Sequence, residues 1–126
     1  MNAPANLKYS ETHQWLRSEP DGSFTVGITD YAQELLGDLI FVESPKIGRK
    51  LKKNEQCGVV ESVKSASDIY SPVAGEVAAV NASLETAPEK INQNAYEAWI
   101  FRLASVEKSE IDELLDAAAY QALTGN

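Results

Sequence analysis

The chain has 126 residues, of which 44 % are hydrophobic, and a net charge of −8 from 19 acidic and 11 basic residues. This length and composition predict one folded domain, residues 1–126, and argue against global disorder. The charge disfavours nucleic acid as a partner, and no apolar run approaches the roughly 20 residues of a membrane helix. Residues 1–17 resemble no leader peptide and Cys57 is the single cysteine, so we expect a cytoplasmic protein.

The inventory of catalytic residues is small. His13 is the single histidine, so no histidine and cysteine cluster with metal-site spacing can form, and we expect no metal. Motifs for a nucleophile elbow, a P-loop or a dinucleotide site are lacking. A Cys57–His13 dyad is formally possible, but Cys57 directly precedes the apolar run GVV, where a cysteine is more typical of a core. The sequence therefore does not indicate an enzyme.

Short β-type segments separated by turn residues make up most of the chain. Pro20, Asp21 and Gly22 supply a turn between the first two, and Asn54 suits a left-handed turn position further on. The pattern predicts a mainly β fold, a small β-sandwich or flattened barrel with two helices at its edges. The predicted strands cover residues 14–18, 24–28, 38–43, both arms of a hairpin within 58–71, 75–80 and 96–104.

A short helix is predicted over residues 30–36. Asp30 is a candidate N-cap with Gln33 three residues later, and Gly37 is a candidate stop. One face of this helix would be apolar, through Ala32, Leu35 and Leu36.

A longer helix is predicted near residues 110–123. Ser109 can cap it, with Asp112 in the capping-box position, and Gly125 can end it. We interpret it as a packing helix over the sheet, because apolar residues recur at helical spacing: Ile111, Leu114, Leu115, Ala118, Ala122 and Leu123.

The stretch GVVESVKSASDIYSPVAGEV, residues 58–77, is nearly symmetric about Lys64 and Ser65. Pairing of its β-branched residues predicts a hairpin with Glu61 opposite Asp68 and with Lys64 at the outermost point of the bend. Two carboxylates facing each other cost stability, and small residues surround the lysine, so an enzyme could reach its amine. A solvated lysine beside acidic residues is also a common surface feature, and these residues alone leave both interpretations open.

Four longer motifs between about Leu7 and Gly125 match the sequence pattern of a known family and occur in the same order as in that family. They are HQWLR (13–17), VGITDYAQELLGDLIFVE (26–43), the stretch around Lys64, and SEIDELLDAAAYQAL (109–123). By these motifs the sequence resembles the H protein of the glycine cleavage system, a family of lipoyl carriers. The resemblance implies a lipoyl-type β-sandwich with lipoate joined to Lys64 by an amide. It also implies recognition of the flanking residues by the attaching enzyme: Glu61, Ser62, Val63, Ser65 and Asp68.

The resemblance further implies a carrier that performs no chemistry of its own. Its arm would take an aminomethyl group from the pyridoxal-phosphate glycine decarboxylase to the tetrahydrofolate-dependent aminomethyltransferase, and dihydrolipoamide dehydrogenase would reoxidise it. Lipoate-attaching enzymes would be further partners, nucleic acid and membranes would not, and a monomer is expected.

One residue departs from the family pattern. Where the family usually has His-Glu-Trp, this chain has His13-Gln14-Trp15, a segment that the resemblance associates with docking of the arm. A glutamine cannot neutralise an ammonium group, although Asp68 could supply part of the missing charge. An alternative is therefore an H-like relay that delivers lipoate to other enzymes.

Other carriers and a small unmodified interaction module are further alternatives. A biotin carrier would have methionine on both sides of the lysine, whereas Val63 and Ser65 flank it here. Lipoyl domains of 2-oxoacid dehydrogenases usually read Asp-Lys-Ala at the bend and lack the segment GITDYAQELLGD.

Overall fold

A computed structural model describes residues 3–125. In this range the chain forms two antiparallel sheets, one with the strand order β1-β2-β3-β9-β8-β5 and one with the order β4-β6-β7, which confirms the predicted mainly β fold. The strands are β1 (Lys8–Tyr9), β2 (Gln14–Ser18), β3 (Phe24–Ile28), β4 (Leu39–Glu43), β5 (Lys50–Leu51), β6 (Gln56–Ser62), β7 (Ala66–Tyr70), β8 (Gly75–Val80) and β9 (Phe101–Ala104).

The main core lies between the two sheets. Val26 and Leu103 from the larger sheet join Val42, Val60 and Ile69 from the smaller one in a single buried cluster. Burying side chains of this size contributes roughly 1.5–3 kcal/mol each relative to leaving them exposed. Because strand residues alternate between faces, one face of the hairpin β6–β7 packs against the core and its other face is directed to solvent.

A second cluster covers the far side of β2. It contains Tyr9, Trp15 and Tyr120, and the rings of Tyr9 and Tyr120 stack at a centroid distance of 4.7 Å. Trp15 is fully buried opposite Gly27, where an added Cβ would come within 2.5 Å of the indole. Glycine at position 27 is therefore a packing requirement of this cluster.

A polar row crosses the same sheet. The Glu19 carboxylate accepts hydrogen bonds from Thr25 Oγ1 at 2.7 Å and from Arg17 Nε at 2.8 Å. These bonds, that of Thr25 most strongly, lower the pKa of Glu19. Arg102 Nε also donates to Thr25 Oγ1, and the Arg102 guanidinium lies over the ring of Trp99.

The predicted short helix is confirmed as α1 (Asp30–Leu36). Its N-cap is Thr29 and not Asp30, since Thr29 Oγ1 accepts the Ala32 N–H at 3.2 Å. Gly37 ends the helix as predicted, with a φ of 84° that favours glycine.

The prediction of one long C-terminal helix over residues 110–123 is wrong. A 3₁₀ helix, Lys108–Glu113, is followed by a break and then by a short α-helix, Ala117–Thr124, capped by Asp116. The break exists because Leu115 exchanges two backbone hydrogen bonds of 2.8 Å with Tyr9, which a helical residue could not do. The buried residue of the last helix is Tyr120, whereas three members of the predicted apolar face are exposed: Ala118, Ala122 and Leu123.

The other helices are a 3₁₀ turn, Ala82–Glu85, and α2 (Lys90–Gln93); the C-terminal α-helix is α3 (Ala117–Thr124). The predicted strand 96–104 is shortened to β9, because residues 95–98 form a turn, in which the Ala98 N–H donates to the Asn94 carbonyl at 3.0 Å. Within residues 3–125, every helix is too short or too polar to cross a lipid bilayer.

Candidate functional site

The hairpin β6–β7 carries Lys64 at its tip, but the pairing differs from the prediction. Glu61 lies opposite Ala66, and Val59, not Glu61, lies opposite Asp68. The register is shifted by two residues, and a shift of two leaves every side chain on its original face, so the burial pattern could not distinguish the two pairings. The expected repulsion between facing carboxylates is absent from this pair.

Ser62 shapes the bend. Its N–H donates to the Ser65 carbonyl at 2.7 Å, and its nearly buried hydroxyl accepts the N–H groups of Ser65 at 3.1 Å and Lys64 at 3.3 Å. The central positions of the turn are Val63 and Lys64, and neither has a positive φ. The serine hydroxyl thus replaces the glycine or asparagine that a tight hairpin usually needs. Among the predicted flanking residues, Ser62 therefore builds the tip.

Lys64 itself is exposed, and none of the ion pairs formed within residues 3–125 involves it. Its alkyl chain leans towards the end of α1, where a Cβ added to Gly37 would lie 3.4 Å from Lys64 Cε and 3.9 Å from Nζ. The neighbouring Val63 is 72 % exposed, and Ser65 and Ala66 are exposed as well. The amine is accessible both to a modifying enzyme and to the surface beside it.

That surface holds a groove of about 290 Å³, which we call the arm groove. One wall is α1, a second is the segment Thr12–Gln14, and a third is the start of β7. The side chains from α1 are apolar, whereas those from residues 12–14 and most of those from the start of β7 are polar. The lining residues are Thr12, His13, Gln14, Ile28, Ala32, Leu35, Leu36, Val60, Ser65, Ala66, Ser67 and Asp68.

The three predicted arm-docking residues do not all lie in the arm groove. His13 and Gln14 line the groove, whereas Trp15 points into the second cluster and its indole Nε1 donates to the Ala95 carbonyl at 3.1 Å. Gln14 is 2 % exposed, and its Oε1 accepts hydrogen bonds from the hydroxyls of Ser10 and Thr12. The amide oxygen is thus already engaged.

Two titratable groups define the charge of the groove. Burial lowers the pKa of His13, which keeps the imidazole neutral at pH 7. Asp68 is exposed at the rim and its carboxylate accepts a long bond of 3.5 Å from the Tyr70 hydroxyl. Among the lining residues of the groove, Asp68 is the one that carries a carboxylate.

The sequence alone did not reveal the wall formed by α1. Leu35, a member of the predicted apolar face of α1, lines the groove and is 57 % exposed. A leucine in the short helix close to the candidate lysine would have been a usable signal. The dyad of Cys57 and His13 receives no support, since Cys57 is buried in the main core and burial raises the pKa of its thiol to about 12. Residues 3–125 contain no cluster of three or more histidine, cysteine or acidic residues suited to a metal.

The family described as Glycine cleavage H-protein matches residues 7–126. The chain belongs to this family. Two curated H proteins of the glycine cleavage system agree: that of Thiobacillus denitrificans is 58 % identical over 121 residues, covering 96 % of this chain and 94 % of the relative. That of Nitrosomonas europaea is 59 % identical over 123 residues, covering 98 % and 95 %.

A solved structure extends the likeness to three dimensions. The crystal structure of a glycine cleavage system H protein from Mycobacterium marinum superposes with a TM-score of 0.88 at 34 % identity and covers 98 % of this chain and all of that one. The two-sheet architecture is thus the lipoyl-type β-sandwich of H proteins. H proteins are carrier subunits of the glycine cleavage system, and this chain is a member of that group.

Proposed function

We propose that this H protein is a cytoplasmic carrier with lipoate joined by an amide to Lys64 Nζ. The observation that supports the proposal best is the exposed amine on a hydrogen-bonded tip, which forms no ion pair within residues 3–125 and lies beside a groove with both apolar and polar lining. Lipoate would supply a disulfide that accepts the aminomethyl unit of glycine on one sulfur and is later reoxidised. The residues of this chain would hold, shield and present that arm.

The fit of the residues to such an arm follows from their chemistry. The Lys64 side chain already lies near Gly37 at the end of α1, so an extension from Nζ would begin beside the helix that forms one wall of the arm groove. Leu35 and Leu36 would cover a hydrocarbon chain, and Asp68 would lie near a cationic end group. Acylation removes the lysine charge, so the tip becomes more negative.

The outer face of the small sheet fits partners with basic surfaces. Strands β4, β6 and β7 contain the carboxylates of Glu43, Glu61 and Asp68 and no lysine or arginine. A bulge in β4 turns Ile40 and Phe41 outward together, leaving them 59 % and 46 % exposed. Exposed apolar side chains surrounded by acidic ones favour a partner that has an apolar pocket with lysine and arginine at its rim.

The proposed partners are the glycine decarboxylase, the aminomethyltransferase, dihydrolipoamide dehydrogenase and a lipoate-attaching enzyme. A tethered arm would meet each active site at an effective concentration of about millimolar once the proteins dock, so tight binding is unnecessary. Weak docking through the acidic face is therefore compatible with rapid exchange between partners.

Intact mass of the protein prepared with lipoate and a lipoate ligase tests the attachment. One lipoyl adduct is expected on the parent protein and none on Lys64→Arg, while the control Lys46→Arg, which alters another exposed lysine, should be modified like the parent. A biotin adduct, or lipoate on a different lysine, would refute the assignment of Lys64.

The neutral side chain of Gln14 keeps the relay function as a second candidate, since the buried amide offers no negative charge to an aminomethyl group. Glycine-dependent bicarbonate exchange with a glycine decarboxylase separates the two. Stimulation by the lipoylated protein supports the carrier, and no stimulation, with transfer of lipoate to other apo-proteins, supports the relay.

A further inference from the structure

The hydroxyl of Tyr120 joins two walls of the arm groove from behind. It lies 2.7 Å from His13 Nδ1 and 2.7 Å from Thr29 Oγ1. His13 belongs to the wall Thr12–Gln14, and Thr29 is the N-cap of α1, the opposite wall. Tyr120 is 2 % exposed and comes from α3, which contributes no residue to the groove lining.

The backbone at the same point is held in an unusual conformation. His13 has a φ of 73°, a left-handed value that is uncommon for a residue other than glycine. Its carbonyl accepts the Thr29 N–H at 3.0 Å, and its ring lies against Tyr31 and Tyr120. Such a conformation persists only where surrounding contacts enforce it, and here they run between the two walls.

The hydrogen-bond chemistry makes the tyrosine hydroxyl a two-sided link. With one proton and two lone pairs, it can donate to one neighbour and accept from the other, whichever tautomer His13 adopts. Thr29 Oγ1 also accepts the Ala32 N–H at 3.2 Å, so the same chain of bonds continues into the first turn of α1. A phenylalanine at position 120 would keep the stack on Tyr9 but would break both bonds at once.

We propose that Tyr120 is a positioning residue that sets the separation between α1 and the segment Thr12–Gln14, and thereby how firmly the arm groove holds the lipoyl arm. The inference rests on the proposed function, because it takes the groove as the resting place of the arm. It assigns to the C-terminal helix α3 a role in protecting the cargo, in addition to its role in packing.

The test compares Tyr120→Phe with the matched control Tyr9→Phe. Tyr9 lies in the same buried cluster, but its hydroxyl donates to the Pro4 carbonyl at 2.6 Å, away from the groove. Both variants should accept lipoate to the same extent by intact mass. When the arm is loaded with an aminomethyl group, non-enzymatic ammonia release should be roughly three- to tenfold faster in Tyr120→Phe, a factor that corresponds to the net free energy of about one hydrogen bond, and unchanged in Tyr9→Phe.

A second measurement needs no lipoate. In the unmodified protein, hydrogen exchange of the Thr29 amide, which spans the two walls, should accelerate in Tyr120→Phe relative to Tyr9→Phe after correction for any change in global stability. Equal Thr29 exchange in the two variants, or equal ammonia release, overturns the role of Tyr120. Absence of lipoate on the parent protein would instead refute the proposed function, whatever the exchange data show.

Discussion

Replacing Ser62 by alanine is the sharpest test of how the hairpin presents Lys64. The Ser62 hydroxyl makes three contacts of 3.1–3.3 Å, accepting the N–H groups of Lys64 and Ser65 and donating to the Ser65 carbonyl. All three are longer than a typical hydrogen bond, and the two N–H groups belong to exposed residues that water can reach. The net cost of the change should therefore be small, about 1 kcal/mol in the free energy of unfolding.

That loss corresponds to a decrease in melting temperature of roughly 3–5 °C for a domain of this size. The substitution should affect lipoate attachment more than it affects stability. Without the hydroxyl, the turn has no glycine or asparagine that would fix its conformation. We expect the rate of lipoate attachment to Lys64 to decrease several-fold, measured by intact mass at a series of times with a fixed amount of ligase.

Ser65→Ala is the matched control. Ser65 is exposed and contributes its backbone N–H and carbonyl to the turn, and those groups survive the substitution. Its melting temperature should equal that of the parent. Because the attaching enzyme is expected to recognise Ser65 as a flanking residue, its attachment rate should decrease less than that of Ser62→Ala. If Ser62→Ala and Ser65→Ala behave alike in both assays, the hydroxyl does not organise the tip and the reasoning fails.

Three further predictions concern the core, the groove and pH. Gly27→Ala should lower the free energy of unfolding, measured by denaturant titration, by about 3 kcal/mol, because the added Cβ would come within 2.5 Å of the buried Trp15 indole. A change below about 1 kcal/mol would show that the indole ring can move aside. Gln14→Glu should slow ammonia release from the loaded arm by adding a carboxylate to the groove, and an unchanged or faster rate would show that this position does not guard the arm. The hydrogen bond from Thr25 helps to lower the folded-state pKa of Glu19 below its ordinary value of 4.5, so its contribution to stability is complete above that pH and is lost as the pH falls. Below about pH 4.5, the unfolding midpoint of Glu19→Gln should therefore decrease less steeply with falling pH than that of the parent. An equally steep decrease in both proteins would contradict the assignment.

Local sequence chemistry determined much of the fold. Short β-type segments bounded by turn residues placed β2, β3 and β8 at their observed bounds, and Gly37 ended α1 where its freedom for positive φ is used. Asn54 took the predicted left-handed position with a φ of 65°. These features depend on neighbours within a few residues, which a sequence displays directly. The accessibility of Lys64 belongs with them, since it follows from a hairpin bend bordered by small side chains.

The tertiary structure decided what depends on distant partners. A two-residue register shift in β6–β7 leaves the burial pattern unchanged, so it was selected by the bonds of Ser62 at the bend. The helical pattern of the C-terminus was overruled at Leu115 by pairing with Tyr9, more than a hundred residues away. The arm groove likewise exists only because α1, the segment Thr12–Gln14 and β7 converge, and no periodicity along a single segment encodes the distance between three separate ones.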